Sequence, residues 1–312
     1  LLYIFYNKMN RKPKIAWIGA FNLEKECPHW QGIEQACYVL DIPALYCDIR
    51  TQGAQVILDN IRTFNPDLTI FCLLDCFDKP LASRIRDYIG KDSKVAFWYV
   101  DLKLMPEKDL TGILDYFFLS HKRFDLYEDR YKIKKENMFF IQQACVKYKK
   151  EDLKFDSGLS HRLLFIGNSL NKRRNEVLRK INEYNQVKII DGGVWEKKRR
   201  IYNAMPTMYN SSDYVLSVSA VNDWPYYSSN RLYCILNMNG LAIVEYFRGC
   251  AEIFMNRQHV IYFHEPEEVK GKIEYYNKNR IEANKIREQG FRYAQANHTY
   301  INRISEILKV LS

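Results

Sequence analysis

The stretch "SSNRLYCILNMNGLAIVEYFRGCAEIF", residues 228–254, gathers residue types that can hold an anion. Ser228, Ser229 and Asn230 are helix-capping types, and Leu232, Ile235, Leu236 and Met238 follow at helical spacing. Gly240 is expected to stop that helix, and "LAIVE" (241–245) reads as a short buried strand ending in Glu245. Asn230, Arg231 and Cys234 fall on or beside one another, because positions four apart share a helix face. Free amides at a helix start, together with a guanidinium, suit a phosphate group.

Three further stretches carry chemistry. In "GNSLNKRRN" (167–175), Gly167 permits close backbone approach, Asn168 follows it, and Lys172, Arg173 and Arg174 open a helix. This is neither a P-loop nor GxGxxG, so nucleoside triphosphatase and NAD-enzyme readings lose support. In "SVSAVNDWPYYSSNR" (217–231), Asn222 and Asp223 can hydrogen-bond a ribose or sugar, and Trp224, Tyr226 and Tyr227 can stack on a ring. Asp101, ending the strand-like "WYVD", and His29, in "ECPHWQG" (26–32) read as a loop, are the candidate bases. Each stretch also has a plain structural use: surface arginines at a turn, aromatic packing, an aspartate cap, an exposed histidine. No DxD triplet, GxSxG elbow or HExxH is present, so neither a metal-bridged diphosphate site nor those hydrolase sites are signalled.

The elements that must position these residues alternate along the chain. "KIAWIGAF", "ALYCDI", "DLTIFCLL", "KVAFWYVD", "ILDYFFLS" and "NMFFIQQ" read as strands, and helical segments such as "QGIEQACYVL", "GAQVILDNIRTF" and "PLASRIRDYIG" separate them. The Lys-rich "KYKKEDLKFDSGLSH" (147–161) reads as a linker. The alternation then restarts with "RLLFIGN", "QVKIID", "DYVLSVS", "LAIVE" and "HVIYFH", and a charged helical tail begins near 266. Nearly continuous apolar strands between amphipathic helices imply parallel sheets covered on both faces. The expectation is an α/β chain of two doubly wound domains, 1–150 and 151–312, facing across a cleft, with function at the loops after each strand.

Composition bounds the rest. The 312 residues are 47% hydrophobic with 23 tyrosines, ample for two cores, and no apolar run is long enough to cross a bilayer. The eight cysteines sit singly without zinc spacing, which predicts reduced, buried thiols and a cytoplasmic setting. A net charge of +10, with runs such as "KYKK" and "EKKRR", is either a solvated face or attraction to an anion: nucleotide phosphate, anionic lipid or nucleic acid. Met9 is read as a natural start, and the residues before it as a leader or remnant.

"RLLFIGNSLNKRRNEVL", "MYNSSDYVLSVS", "SSNRLYCILNMNGLAIVEYFRGCAEIF" and the closing "HTYINRISEIL", in this order, resemble the CgeB-like, GT-B-type glycosyltransferases over about 162–311. In the first half only "VAFWYVD" and, weakly, "QGIEQACYVL" are similar to GT-B acceptor domains. The resemblance implies two Rossmann-like domains and transfer of a sugar from a UDP- or GDP-type donor to an acceptor hydroxyl. It implies a metal-independent transferase, with no cofactor beyond the nucleotide-sugar co-substrate. Gly167, Asn168, Arg173, Arg174, Arg231 and the amides at Ser228, Ser229 and Asn230 would lie by the diphosphate. Asn222, Asp223 and Tyr227 would meet the sugar or nucleoside. Two positions depart: Cys234 and Tyr226 stand where related sequences carry glutamates, so Asp223 or Glu245 would have to hold the ribose. Asp101 or His29 would be the base of an inverting reaction, and neither is needed in a retaining one. The default acceptor is a glycan or lipid-linked sugar, with hydroxylated DNA as the variant that the positive charge leaves open. The rival is a catalytically inactive sugar-nucleotide-binding or scaffold protein, prompted by Cys234 and Tyr226. A plain DNA-binding protein has no helix-turn-helix, zinc-finger or OB pattern in its favour.

Overall fold

The computed structural model describes residues 11–21, 27–72, 77–90, 92–99, 109–167, 171–191 and 195–311, without the side chains of 191–199. The chain forms two compact units, one of residues 1–25, 33–142 and 303–312, the other of 26–32 and 143–302.

The first unit holds six parallel strands: β1 (Ile15–Gly19), β2 (Ala44–Asp48), β3 (Leu68–Cys72), β4 (Lys94–Tyr99), β5 (Tyr116–Leu119) and β6 (Met138–Phe140). Their order is β2-β1-β3-β4-β5-β6. Every residue of β1 and β3 is buried, as a strand covered on both faces requires. The crossovers carry α1 (Pro28–Val39), whose first turn to Gly32 belongs to the second unit, α2 (Ala54–Phe64), α3 (Lys79–Tyr88) and α4 (Phe124–Tyr131). The Asp78 side chain caps α3 by accepting from the Leu81 amide at 2.9 Å.

The second unit holds β7 (Leu163–Gly167), β8 (Lys188–Asp191), β9 (Tyr214–Ser217), β10 (Ala242–Glu245) and β11 (Ile261–Phe263) in the parallel order β11-β10-β9-β7-β8. Its helices are α5 (Lys172–Tyr184), α6 (Trp195–Ser211), α7 (Asn230–Asn237), α8 (Cys250–Ile253), α9 (Glu268–Lys278), α10 (Arg280–Asn297) and the start of α11 (Tyr300–Val310). Alternate strand residues enter two different cores. Leu164, Ile166, Val215, Ala242 and Val244 pack with α7, whereas Leu163, Phe165, Leu216, Ile243 and Phe263 pack with Leu178, Ile181, Val269 and Ile273. This double burial explains why the strands read as unbroken apolar runs.

Two local readings change. Helix α6 has no counterpart in the sequence reading, because Pro206 sits inside it and interrupts the helical pattern. Helix α7 ends at Asn237, and the left-handed residue after it is Asn239 (φ +58°), not Gly240. Gly240 is small for another reason: an added Cβ would lie 2.8 Å from the Ile235 side chain. The seven cysteines among the described residues are all free, and six are buried.

Candidate donor-binding site

The strand order of the second unit reverses between β7 and β9. Open α/β sheets bind ligands outside the carboxyl ends of the strands at such a reversal. Gly167 ends β7, the chain leaves β9 at Ser217, and α5 and α7 start beyond them.

Arg231 spans this point. Its Nε donates to the Ile166 carbonyl at 2.6 Å, and its Nη1 donates to the Val218 carbonyl at 2.9 Å and to Ser229 Oγ at 3.1 Å. The guanidinium lies 4.4 Å from the Phe165 ring centre. Gly167 makes room for it, since an added Cβ would sit 2.3 Å from Arg231 Nη2. Burial lowers the Arg231 pKa to about 10, with a further push from the charge of Arg174. Among the described residues no carboxylate forms an ion pair with Arg231. A desolvated cation beside a second buried arginine, held by neutral carbonyls, has the chemistry to accept an anion.

Arg173 is engaged differently. It donates to both oxygens of Glu245, one contact at 3.1 Å, and to the Ser219 carbonyl at 3.1 Å. The two residues expected to meet a diphosphate and a ribose are thus paired with each other. Arg174 is buried, and its amide is capped by Asn171 Oδ1 at 2.8 Å. Helix α7 begins after Ser229, whose side chain makes no capping bond, so its first amides are left to another acceptor.

The loop after β9 is fastened to the loop after β10. Asn222 Nδ2 donates to the Tyr246 carbonyl at 3.0 Å, the Tyr226 amide to Arg248 at 2.7 Å, and Tyr226 Oη to Glu252 at 2.6 Å. Tyr226 takes a left-handed backbone (φ +62°), and Gly249 (φ +86°) lies so close that an added Cβ would be 2.7 Å from its ring. Buried Asn222 Oδ1 and Ser228 Oγ have no hydrogen-bond partner among the described residues. Such orphaned atoms are what a ligand or water would satisfy. Asp223 is exposed and Tyr227 buried. Sequence reasoning missed Glu252 and Arg248, because their only signal is contact with a loop some 22–26 residues earlier.

Asn230 and Cys234 turn away from this surface. Asn230 Nδ2 donates to the Ala144 carbonyl, and its Oδ1 accepts from Cys234 Sγ at 2.8 Å. Cys234 is buried and serves as a local donor, which answers why a cysteine stands there.

His29 lies in the first turn of α1, not in a loop. It is buried, and its Nδ1 meets Tyr300 Oη at 2.5 Å. Burial lowers its pKa to about 3, so it is neutral and weakly basic at pH 7. Gly32, one turn on, has the Tyr300 ring where its Cβ would be. Asp101 and Asn168 lie outside the described residues. Among the described residues, no cluster of three or more His, Cys, Asp or Glu side chains could hold a metal. No helix among them is long and apolar enough to cross a membrane.

Comparison with known proteins bears on the fold and on the family of the second half. The family described as "Glycosyl transferase-like" matches residues 172–309, which include every site element of the second unit from α5 onward. No curated protein sequence is similar enough to count as a match. Among solved structures, a glycosyltransferase from Rickettsia africae superposes with a TM-score of 0.61 at 13% identity, covering 97% of this chain and 99% of that one. HepE of Anabaena, solved with UDP-glucose, gives 0.61 at 11% identity, covering 96% and 100%. Sucrose-phosphate synthase from Thermosynechococcus elongatus gives 0.60 at 10% identity, covering 96% and 99%. The chain has the GT-B fold, with two parallel sheets, and its residues 172–309 match a glycosyl transferase-like family.

Proposed function

We propose that the protein is a glycosyltransferase that moves a hexose or related sugar from a UDP- or GDP-type donor to an acceptor hydroxyl. The observation that carries this reading is Arg231: a desolvated cation with no carboxylate partner among the described residues, at the strand-order reversal of the second sheet. When the bond between the sugar C1 and the diphosphate oxygen breaks, its electron pair stays on the diphosphate. Arg231, Arg174 and the first amides of α7 would stabilise that charge without a metal ion. Gly167 and Asn168 would let the diphosphate approach the backbone, and Arg173 would join once Glu245 exchanges it for the ribose hydroxyls. Asn222, Asp223 and Tyr227 would contact the sugar or nucleoside, with Ser228 and Ser229 beside the diphosphate.

The acceptor oxygen forms the new bond to C1, and its proton must leave. In an inverting reaction Asp101 would take it, and His29, with its lowered pKa, would be the poorer base. In a retaining reaction the departing phosphate oxygen would take it. The UDP-glucose complex of HepE favours a uridine nucleotide in the panel below. A cell-surface glycan or lipid-linked sugar is the first acceptor class, and hydroxylated DNA the second, prompted by the net charge of +10.

The test is a thermal-shift screen against UDP-, GDP-, ADP-, CMP- and dTDP-sugars and free nucleotides, with chelator present. A rise in melting temperature with one nucleotide family, followed by hydrolysis or transfer of that donor, is the expected result. No shift with any nucleotide, with and without divalent metal, would overturn the reading. The inactive-binder alternative rests on Cys234, which faces the core, and on Tyr226, whose hydroxyl is committed to Glu252. It predicts binding without hydrolysis or transfer.

A further inference from the structure

A cavity of about 730 Å³ lies in the second unit at the opposite end of the sheet from the candidate donor site. It opens beside Arg162 and Leu163, where β7 begins, and Lys188, where β8 begins, with α9 forming another wall. At roughly 3.3 Å per residue, the length of β7 puts it about 13 Å or more from Gly167. Its volume is within the range of small-molecule sites.

The charges around it set it apart. Arg162, Lys188 and Lys270 line it, and none forms an ion pair or side-chain hydrogen bond among the described residues. Glu274 is the only carboxylate among its described lining residues, and burial, with the charge of neighbouring Lys188, keeps His161 toward its neutral form. Two other cavities of this protein have their cations satisfied internally. In one, Arg257 pairs with Glu282 and Lys272 with Glu268; in the other, Arg86 pairs with Asp115. The first cavity therefore holds three uncompensated cations around a ligand-sized space. Tyr184, half exposed on its rim, offers an aromatic face, and Glu274 offers an acceptor for hydroxyl groups.

We propose that this cavity binds an anionic saccharide, its carboxylate or phosphate group held by Arg162, Lys188 and Lys270 and its ring set against Tyr184. Inorganic phosphate would leave most of the space empty, and a neutral sugar would leave the cations unmatched. Position at the amino ends of the strands makes the cavity distinct from the donor site, so the proposal stands whichever nucleotide the latter takes.

The test is calorimetric titration of the full chain with tri-galacturonate, glucose 6-phosphate, maltotriose and inorganic phosphate. The wild type is compared with Lys188→Glu/Lys270→Glu, both exposed positions, and with Arg231→Gln. The expected result is saturable binding of one or both acidic saccharides, absent for maltotriose. That binding should weaken about tenfold or more in the double variant, whose melting temperature is unchanged, and persist in Arg231→Gln. A preference for tri-galacturonate names a uronic acid as the source of charge, and one for glucose 6-phosphate names a phosphate ester. Failure of both acids to bind, or equal binding of maltotriose or of inorganic phosphate, would overturn the proposal. So would binding that is lost in Arg231→Gln but kept in the double variant, since it would belong to the donor site.

Discussion

At Arg231 a positive charge is held by two backbone carbonyls and a serine, with burial pressing against it. If that charge is kept for a diphosphate, Arg231→Gln should weaken nucleotide binding by about 1.5–3 kcal/mol, roughly ten- to a hundredfold or more. Titration calorimetry reads this directly, and circular dichroism checks that the variant is folded. Unchanged affinity in a folded variant would remove Arg231 from the site. Gly167→Ala makes the same point through space, because its Cβ would fall 2.3 Å from Arg231 Nη2 and 2.8 Å from the Phe165 ring. We expect overpacking of about 1–3 kcal/mol, seen as a lower melting temperature, together with weaker nucleotide binding. The polar types at Arg231 and Asn230 were legible as candidates in the sequence. Their directions were not, because adjacent residues on the first turn of a helix point to different neighbours, one to the strand ends and one to Ala144.

At the scale of elements, the first turn of α1 is tied to the first turn of α11 by His29 and Tyr300. Burial lowers the His29 pKa from 6.5 to about 3, so between those values the unfolded chain binds a proton that the folded chain refuses. Its contribution to stability is complete above about pH 6.5 and is lost as the pH falls toward 3. His121, lowered to about 4 mainly by burial, acts in the same direction. Melting temperature measured from pH 7 to pH 4 should therefore fall, and less steeply in His29→Gln than in the wild type. Equal slopes would mean that His29 is not the buried neutral group described. "ECPHWQG" reads as a loop, yet the helix starts at Pro28, and proline is well suited to the first position of a helix. Helix α6 was hidden for the opposite reason, a proline in its interior. The strands were plain, since burial on both faces left no polar alternation to confuse with helix.

At the scale of the whole molecule, the charge of +10 leaves a DNA acceptor open beside a glycan, and salt dependence separates the two. Transfer to hydroxylated DNA would depend on phosphate contacts, each adding about −0.9 to the slope of log affinity against log salt. Transfer rates measured from 50 to 200 mM salt should fall by orders of magnitude for a DNA acceptor and change little for a small neutral glycan. A flat salt profile with DNA would dismiss that acceptor.

The sequence by itself determined the α/β class, the parallel strands, the order of elements and the resemblance of the second half to glycosyltransferases. The class, the strands and their order follow from local periodicity, capping and composition, whereas the resemblance rests on whole motifs such as "RLLFIGNSLNKRRNEVL" and "HTYINRISEIL". The tertiary structure alone decided that Arg173 faces Glu245, that Arg231 reaches the ends of β7 and β9, and that Cys234 serves Asn230 instead of a ligand. It alone brought Tyr226 to Glu252 and His29 to Tyr300. Apart from the cysteine contact within one helix, these partners lie from 13 to 271 residues apart, so no local pattern records them. They are selected by which side chains the two buried sheet faces leave pointing at one another when the cores close.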